Sequence, residues 1–131
     1  MKPETLCRIA AALAFAAVAL GAFGAHALKA KLEMNGYAAV WQTAVFYHLT
    51  HAVALFALAL FGSNRGGAGM TPGPTWLMLS GIAVFSGSLY LLALTGVRWL
   101  GAITPLGGLC FLLAWAWLAV RGINASRADA E

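Results

Sequence analysis

Two histidines three residues apart, His48 and His51, lie near the middle of a long apolar stretch of the chain. If that stretch is a helix, an offset of three returns to the same side, so both imidazoles share one face. In hydrocarbon such a face must turn inward, because an unpaired polar group is costly there. The pair could act as a proton relay, as metal or haem ligands, or as groups that orient a ligand. The structural alternative is that each ring hydrogen-bonds to a neighbouring helix and holds the helices in register.

The chain offers few further ligands for a metal ion or a haem. No Asp or Glu lies within the apolar stretches, and His26 is the only other histidine. A histidine pair at an offset of three shares a metal only loosely, since helical metal-binding pairs use an offset of four. Cys7 and Cys110 are expected at different depths, so we expect no disulfide between them. The sequence therefore predicts no metal, no haem and no other cofactor.

Four apolar stretches must position these residues. The chain is 62% hydrophobic and 9% charged, with a mean hydropathy of +0.83, and a soluble domain of this size could not bury so much apolar surface. A membrane-spanning helix needs about 20 apolar residues. Because the connections are short, neighbouring helices run antiparallel, and we predict an all-α, up-down four-helix bundle that forms one transmembrane domain over residues 1–131. The predicted helices cover residues 9–28, 37–61, 75–94 and 99–120.

The eight basic residues are scattered over the helix ends rather than clustered on one face, which argues against a nucleic-acid-binding surface. They indicate the topology of the chain instead. Five of them belong to the side of the two termini and three to the opposite side, so the positive-inside rule predicts that both termini are cytoplasmic. The five are Lys2, Arg8, Arg65, Arg121 and Arg127, and the three are Lys29, Lys31 and Arg98.

The first apolar stretch has an alternative interpretation as a cleaved signal peptide. Lys2 and Arg8 precede it, and Ala25, His26 and Ala27 have the small-residue pattern of a cleavage site. Its apolar run is longer than the core of most signal peptides. We therefore expect this segment to be retained as the first span.

Small residues are expected to mediate the packing of the helices, because lipid provides no hydrophobic drive between them. We also expect Thr104 to cap the fourth helix and Pro105 to begin it, which would leave residues 99–103 irregular. The predicted packing stripes are Ala10, Ala14, Ala17, Gly21 and Ala25 in the first stretch, Ser80, Ala83, Gly87 and Leu91 in the third, and Gly107, Cys110 and Ala114 in the fourth.

The polar residues of the four stretches concentrate at one depth. With cytoplasmic termini, the outer halves carry nearly all of them, and the inner halves carry little beyond Thr75 and Ser80. A pore or a proton wire needs polar groups or water along its whole length. We therefore predict a polar pocket that opens toward the extracytoplasmic side and is closed below His51. The candidate ligand-binding residues are His26, Trp41, Gln42, Tyr47, His48, His51, Ser86, Ser88, Tyr90 and Thr104.

Four blocks of the sequence resemble the DUF423 family of small bacterial inner-membrane proteins, which includes the eukaryotic transmembrane protein 256. The blocks are GAFGAHAL at residues 21–28, WQTA with YH and HA within residues 41–52, FSGSLY at residues 85–90 and GAITPLGG at residues 101–108. The resemblance implies a four-span protein of the bacterial inner membrane that keeps its first span. It supplies no catalytic residue and no biochemical function.

Taken together, these patterns favour a non-enzymatic membrane protein. It would bind a lipid or another small amphiphile, or dock as an accessory subunit of a membrane complex. Its partners would be the lipid bilayer and either another membrane protein or further copies of itself. The alternative is a proton-linked or small-solute transporter that acts as an oligomer through His48 and His51. An enzyme is disfavoured, because no intramembrane carboxylate, metal-ligand set or nucleophile and base occur at catalytic spacing.

Overall fold

The fold comes from a computed structural model, which describes residues 1–64 and 72–121; of Arg121 it describes the backbone alone. Arg65 and Arg127, two of the charges on which the predicted topology rests, lie outside the described residues. The described residues contain helices and no strand. In chain order the helices are α1 (Pro3–Ala25), α2 (Lys29–Met34), α3 (Ala38–Asn64), α4 (Pro72–Gly81), a π-helical turn (Ile82–Ser86), α5 (Gly87–Thr95) and α6 (Leu100–Arg121).

In the part of the chain that the structure describes, four helical segments are long and apolar enough to cross a membrane. The third span is formed by α4, the π turn and α5, which follow one another without interruption. The predicted all-α bundle of four spans is confirmed, whereas the cytoplasmic location of the termini stays a prediction. We call the side on which α1 begins and α6 ends the termini end, and the opposite side the α2 end. The spans are Pro3–Ala25, Ala38–Asn64, Pro72–Thr95 and Leu100–Val120.

The short helix α2, which the sequence did not predict, joins the first two spans. It has six residues, too few for a hydrophobic period to be recognised. Gly36 ends it with a φ of 71°, a left-handed conformation that a side chain would disfavour. The Gly36 N–H donates to the carbonyl of Glu33 at 3.1 Å and the Tyr37 N–H to that of Leu32 at 2.8 Å. These two bonds form the Schellman motif that stops a helix and turns the chain into α3.

Each span packs mainly on its neighbours in sequence: α1 on α3, α3 on the third span, and the third span on α6. In α1 the contact uses the predicted stripe of small residues, since Ala10 and Ala17 are fully buried. A side chain at Gly21 would bring its Cβ to 3.3 Å from Val45 of α3. Close approach at small residues is the usual way in which membrane helices associate.

The stripe predicted for the third span was wrong, because Ser80, Ala83 and Leu91 are exposed. The buried face includes Gly81 instead, where an added side chain would collide with the ring of Phe111 in α6. A small residue marks a contact only where a neighbouring helix fills the space that it leaves. The sequence of one helix does not show which of its small residues has such a neighbour.

The predicted start of the fourth helix at Pro105 was also wrong, because α6 begins at Leu100 and includes Pro105. Pro105 lies in the second turn of the helix, where its missing N–H removes one hydrogen bond, the one to the carbonyl of Gly101. The Thr104 hydroxyl does not cap the helix and lies 3.3 Å from the carbonyl oxygen of Leu100. Residues 100–103 are therefore helical.

The core of the termini end is apolar. It joins α1, α3, α4, the π turn and α6, and the half-buried, free Cys7 packs against it. An apolar core of this kind offers water no hydrogen-bond partners. Its buried residues are Leu6, Ala10, Leu55, Leu58, Ala59, Met78, Ile82, Phe111 and Ala114.

Candidate functional site

His51 lies on the buried side of α3, 4% exposed, and both of its ring nitrogens have a partner. Its Nδ1 lies 2.8 Å from the carbonyl oxygen of Tyr47, so this nitrogen carries the proton and donates it. Its Nε2 accepts a hydrogen bond of 3.1 Å from the indole N–H of Trp115. The ring also stacks on Phe111 with 3.5 Å between the centroids. These contacts hold a neutral imidazole in one tautomer and tie α3 to α6.

His48 is as buried as His51, 5% exposed, but only one of its nitrogens is bonded. Its Nδ1 lies 3.3 Å from the hydroxyl of Tyr90 in α5, while its buried Nε2 has no partner among the described residues. The Tyr90 ring packs edge-on against the Trp41 ring, with 4.8 Å between the ring centroids. The indole N–H of Trp41 donates to the carbonyl of Leu20 at 2.9 Å. A row of contacts therefore runs from α1 through Trp41 and Tyr90 to His48.

The three predicted site residues with small hydroxyl side chains, Ser86, Ser88 and Thr104, lie inside the bundle. The hydroxyls of Ser88 and Thr104 are 2.8 Å apart and link α5 to α6. Ser86, the last residue of the π turn, is fully buried, and its hydroxyl has no partner in the described part of the chain. The predicted Ser88, Tyr90 and Thr104 are thus used in contacts between helices.

The remaining predicted residues, His26, Gln42 and Tyr47, are exposed. His26 follows the end of α1, and the Tyr47 ring, 37% exposed, packs on Phe85 with 4.5 Å between the ring centroids. The structure therefore does not bring the ten residues together in one place: some of them join helices inside the bundle, and others lie on its surface. The pocket was predicted because these residues lie at similar depths in the membrane. Residues at one depth, however, face different directions around a helix.

A groove of about 490 Å³ lies between α1, α2 and α3 at the α2 end, a volume typical of small-molecule sites. Gly21, Gly24 and Trp41 all line it. A side chain at Gly24 would collide with the indole of Trp41, so this glycine lets Trp41 lie against the backbone of α1. The groove therefore depends on the small residues by which α1 packs on α3.

The groove is amphipathic along its length. Near α2 it is lined by Lys29, Glu33 and Gln42, all of which are exposed. Farther along α3 it is lined by apolar residues as far as Leu49, about 10 Å from Gln42 along the helix axis. A molecule with a polar head and an apolar tail matches this order of groups.

A second cleft, of about 460 Å³, lies between α3, α4 and α6 at the termini end. Its lining is aliphatic and aromatic, and Trp115 provides its one polar atom, the indole nitrogen. That nitrogen already donates to His51. The cleft thus has no group left to orient a polar ligand. No cluster of three His, Cys, Asp or Glu side chains that could hold a metal ion occurs in residues 1–64 and 72–121.

Comparison with known proteins places this architecture in a family. A family model described as "Protein of unknown function (DUF423)" matches residues 20–108. That range contains the groove and all ten predicted site residues. The chain belongs to the DUF423 family. The resemblance seen in the four sequence blocks is therefore confirmed.

This DUF423 protein has close relatives in several bacteria. It is similar to the UPF0382 membrane protein YwdK of Bacillus subtilis, with 46% identity over 111 residues, 85% of this chain and 89% of the relative. It is 44% identical over 111 residues to a UPF0382 membrane protein of Staphylococcus epidermidis, covering 82% of this chain and 85% of that protein. These names and the four apolar helices identify a membrane protein. No solved structure matches the chain.

Sequence reasoning found two residues of the groove in this DUF423 protein, Trp41 and Gln42, and missed its charged pair. Lys29 was used only as a charge that indicates the topology, and Glu33 was not singled out. The signal that could have located them is their offset of four, which places both on one face if the segment is helical. The groove itself could not be predicted, because it requires knowing that α1 packs on α3 and that α2 lies beside them.

Proposed function

We propose that this DUF423 protein is a non-enzymatic membrane protein that binds a membrane amphiphile in the groove between α1, α2 and α3. The observation that carries the proposal is the order of groups along the groove, with Lys29, Glu33 and Gln42 at one end and Val45, Phe46 and Leu49 beyond them. A lipid meets the bilayer with the same order, a charged head followed by hydrocarbon. Gly21 and Gly24 supply the space that a chain needs beside α3.

The charges and the aromatic residues of the protein support a placement in the membrane. We propose a bacterial inner membrane with both termini in the cytoplasm, which puts the groove in the outer leaflet. Trp99 at the α2 end and Trp76 at the termini end are 63% and 59% exposed. Indole rings at both ends of the spans suit the two interfaces of a bilayer. Lys29 and Glu33 then lie at the depth of the lipid headgroups.

We also propose that the protein has no enzymatic role, and the hydrogen bonding and burial of the two imidazoles support this. A general base needs a ring nitrogen within reach of the substrate. Both nitrogens of His51 are engaged by Tyr47 and Trp115, and the free nitrogen of His48 is buried. Neither ring reaches the groove, since neither lines it.

A transporter is the alternative, and its support is the unpartnered Nε2 of His48. On the termini side of His51, however, the buried face of α3 is apolar at Leu55 and Leu58. A polar solute or a proton would need a hydrated route past this layer. Such a route would have to run between copies of the chain, so transport would require an oligomer. The apolar packing gives this alternative less support than the groove gives lipid binding.

The proposal is tested by filling the groove with a side chain. Ala25 lines the groove, while Ala22, one turn earlier on α1, does not; both are exposed. We expect Ala25→Trp to remove the lipid that stays bound when the protein is released from a mild detergent micelle, and Ala22→Trp to retain it. Native mass spectrometry of the two variants and the unchanged protein measures this directly. Equal lipid retention by both variants, or no retained lipid in the unchanged protein, would contradict the proposal.

A further inference from the structure

We infer that the amphiphile is a zwitterionic phospholipid with a primary ammonium group, held with its phosphate beside Lys29 and its ammonium beside Glu33. This inference rests on the proposed function and adds the chemical class of the ligand. The starting observation is the one place in the groove where a basic and an acidic side chain lie side by side. Lys29 and Glu33 both line the groove, whereas Lys31, between them on α2, does not.

The spacing of the two charges matches the headgroup. Lys29 and Glu33 are four residues apart on α2, so their Cβ atoms lie about 5–6 Å apart on one face of the helix. The phosphate and ammonium groups of an ethanolamine headgroup are separated by a two-carbon linker, a comparable distance. Each end of the headgroup can therefore reach an opposite charge at the same time, and the ammonium N–H groups can donate to the carboxylate.

Other headgroups leave one of the charges unmatched. An anionic headgroup such as phosphoglycerol would offer its phosphate to Lys29 but has no cation to place beside Glu33. A lipid with an uncharged head would make no charge-assisted contact with either side chain. The pair thus discriminates by the number of opposite charges that a headgroup can match, which makes specificity a difference between two affinities.

Gln42 and the apolar wall complete the match. The Gln42 amide faces the groove from α3 and offers both donors and an acceptor, which suit the ester groups between the head and the chains. Beyond it, Val45, Phe46 and Leu49 line the groove and provide an apolar surface for one acyl chain. The three features fall in the order in which a phospholipid presents headgroup, ester and hydrocarbon.

The inference is tested with three lipids that carry identical oleoyl chains: phosphatidylethanolamine, phosphatidylglycerol and diacylglycerol. Each is titrated into purified, delipidated full-length protein, and native mass spectrometry gives the dissociation constants. We expect phosphatidylethanolamine to bind about two- to fivefold more tightly than phosphatidylglycerol, because an exposed ion pair contributes about 0.5–1 kcal/mol. Diacylglycerol is expected to bind most weakly.

Three exposed residues of α2 provide matched variants. Glu33→Gln should reverse the preference toward phosphatidylglycerol, since only the cation remains. Lys29→Gln should weaken the binding of both phospholipids. Lys31→Gln makes the same change in net charge outside the groove and should leave the preference for phosphatidylethanolamine unchanged. All three substitutions lie at exposed positions, where the fold tolerates them.

The outcomes separate this inference from the proposed function. Preferred binding of phosphatidylglycerol by the unchanged protein, or equal effects of Lys29→Gln and Lys31→Gln, overturns the zwitterionic headgroup and leaves lipid binding intact. If Ala25→Trp has no effect on the binding of any of the three lipids, the groove is not their site and both proposals fall.

Discussion

Among the single side chains, the two imidazoles of α3 differ in how many of their nitrogens are bonded. His51 donates to Tyr47, accepts from Trp115 and stacks on Phe111. His48 has one bond, to Tyr90, and an unpartnered nitrogen among the described residues. A buried nitrogen without a partner lowers the net stabilisation that the residue provides. The structural role of the pair therefore falls mainly on His51.

Replacing each histidine by leucine, which has a similar volume, measures this difference. His51→Leu leaves the Trp115 N–H without its acceptor and removes the stack on Phe111, so we expect the free energy of unfolding to fall by about 1–3 kcal/mol. His48→Leu removes one 3.3 Å contact together with the unpartnered nitrogen, so the expected loss is below about 1 kcal/mol. Thermal unfolding in detergent gives both values. A larger loss for His48→Leu would show that its Nε2 has a partner after all.

Helical spacing was enough to predict that His48 and His51 face inward, and both are buried. It could not predict their partners. The residue that donates a hydrogen bond to Nε2 of His51 is Trp115, 64 positions away in the sequence. No local sequence pattern relates the two residues. The same limit explains why Gln42 and Tyr47 were placed in an inward pocket, since depth alone does not give direction.

Between elements, the contact of α6 with the third span relies on glycines that let bulky neighbours approach. A Cβ at Gly107 would collide with the backbone of Phe85, and one at Gly81 with the ring of Phe111. Backbone cannot move aside as a flexible side chain can. Gly101, one and a half turns before Gly107 on α6, would bring a Cβ only to 3.7 Å from Leu92, an ordinary contact distance.

Alanine substitutions at Gly107 and at Gly101 compare a close contact with a loose one on the same helix, α6. Gly107→Ala should force α6 away from the π turn and lower the free energy of unfolding by about 1–3 kcal/mol or more. Gly101→Ala should be neutral or slightly stabilising, because alanine favours the helix by up to about 1 kcal/mol. Reversible unfolding in mixed micelles yields both changes. Equal effects would mean that the close approach at Phe85 does not limit the packing.

The four spans were predictable because length and hydropathy suffice to recognise a helix that crosses a bilayer. Two other elements were not. The helix α2 is too short for a hydrophobic period to be recognised, and the π turn at Ile82–Ser86 is a single-turn feature within a longer helix that hydropathy does not reveal. The predicted start of α6 at Pro105 was wrong, because a proline near the beginning of a helix can occupy more than one of the first helical positions.

For the molecule as a whole, the groove and the main apolar core lie toward opposite ends of the bundle. The α2 end combines the charged helix α2 with the amphipathic groove, while the core of the termini end is apolar. Which leaflet receives the groove depends on the orientation of the chain in the membrane. The proposed ligand is therefore an outer-leaflet lipid only if the termini are cytoplasmic.

Single cysteines at the two ends determine that orientation. In a background with Cys7→Ser and Cys110→Ser, which removes the native thiols, Asn35→Cys reports on the α2 end and Ser63→Cys on the termini end; both positions are exposed. Because five of the eight basic residues belong to the side of the termini, we expect an impermeant maleimide to label Asn35→Cys on intact cells and Ser63→Cys only after the membrane is opened. The reverse pattern would place the groove in the cytoplasmic leaflet, and the lipid that it binds would then come from that leaflet.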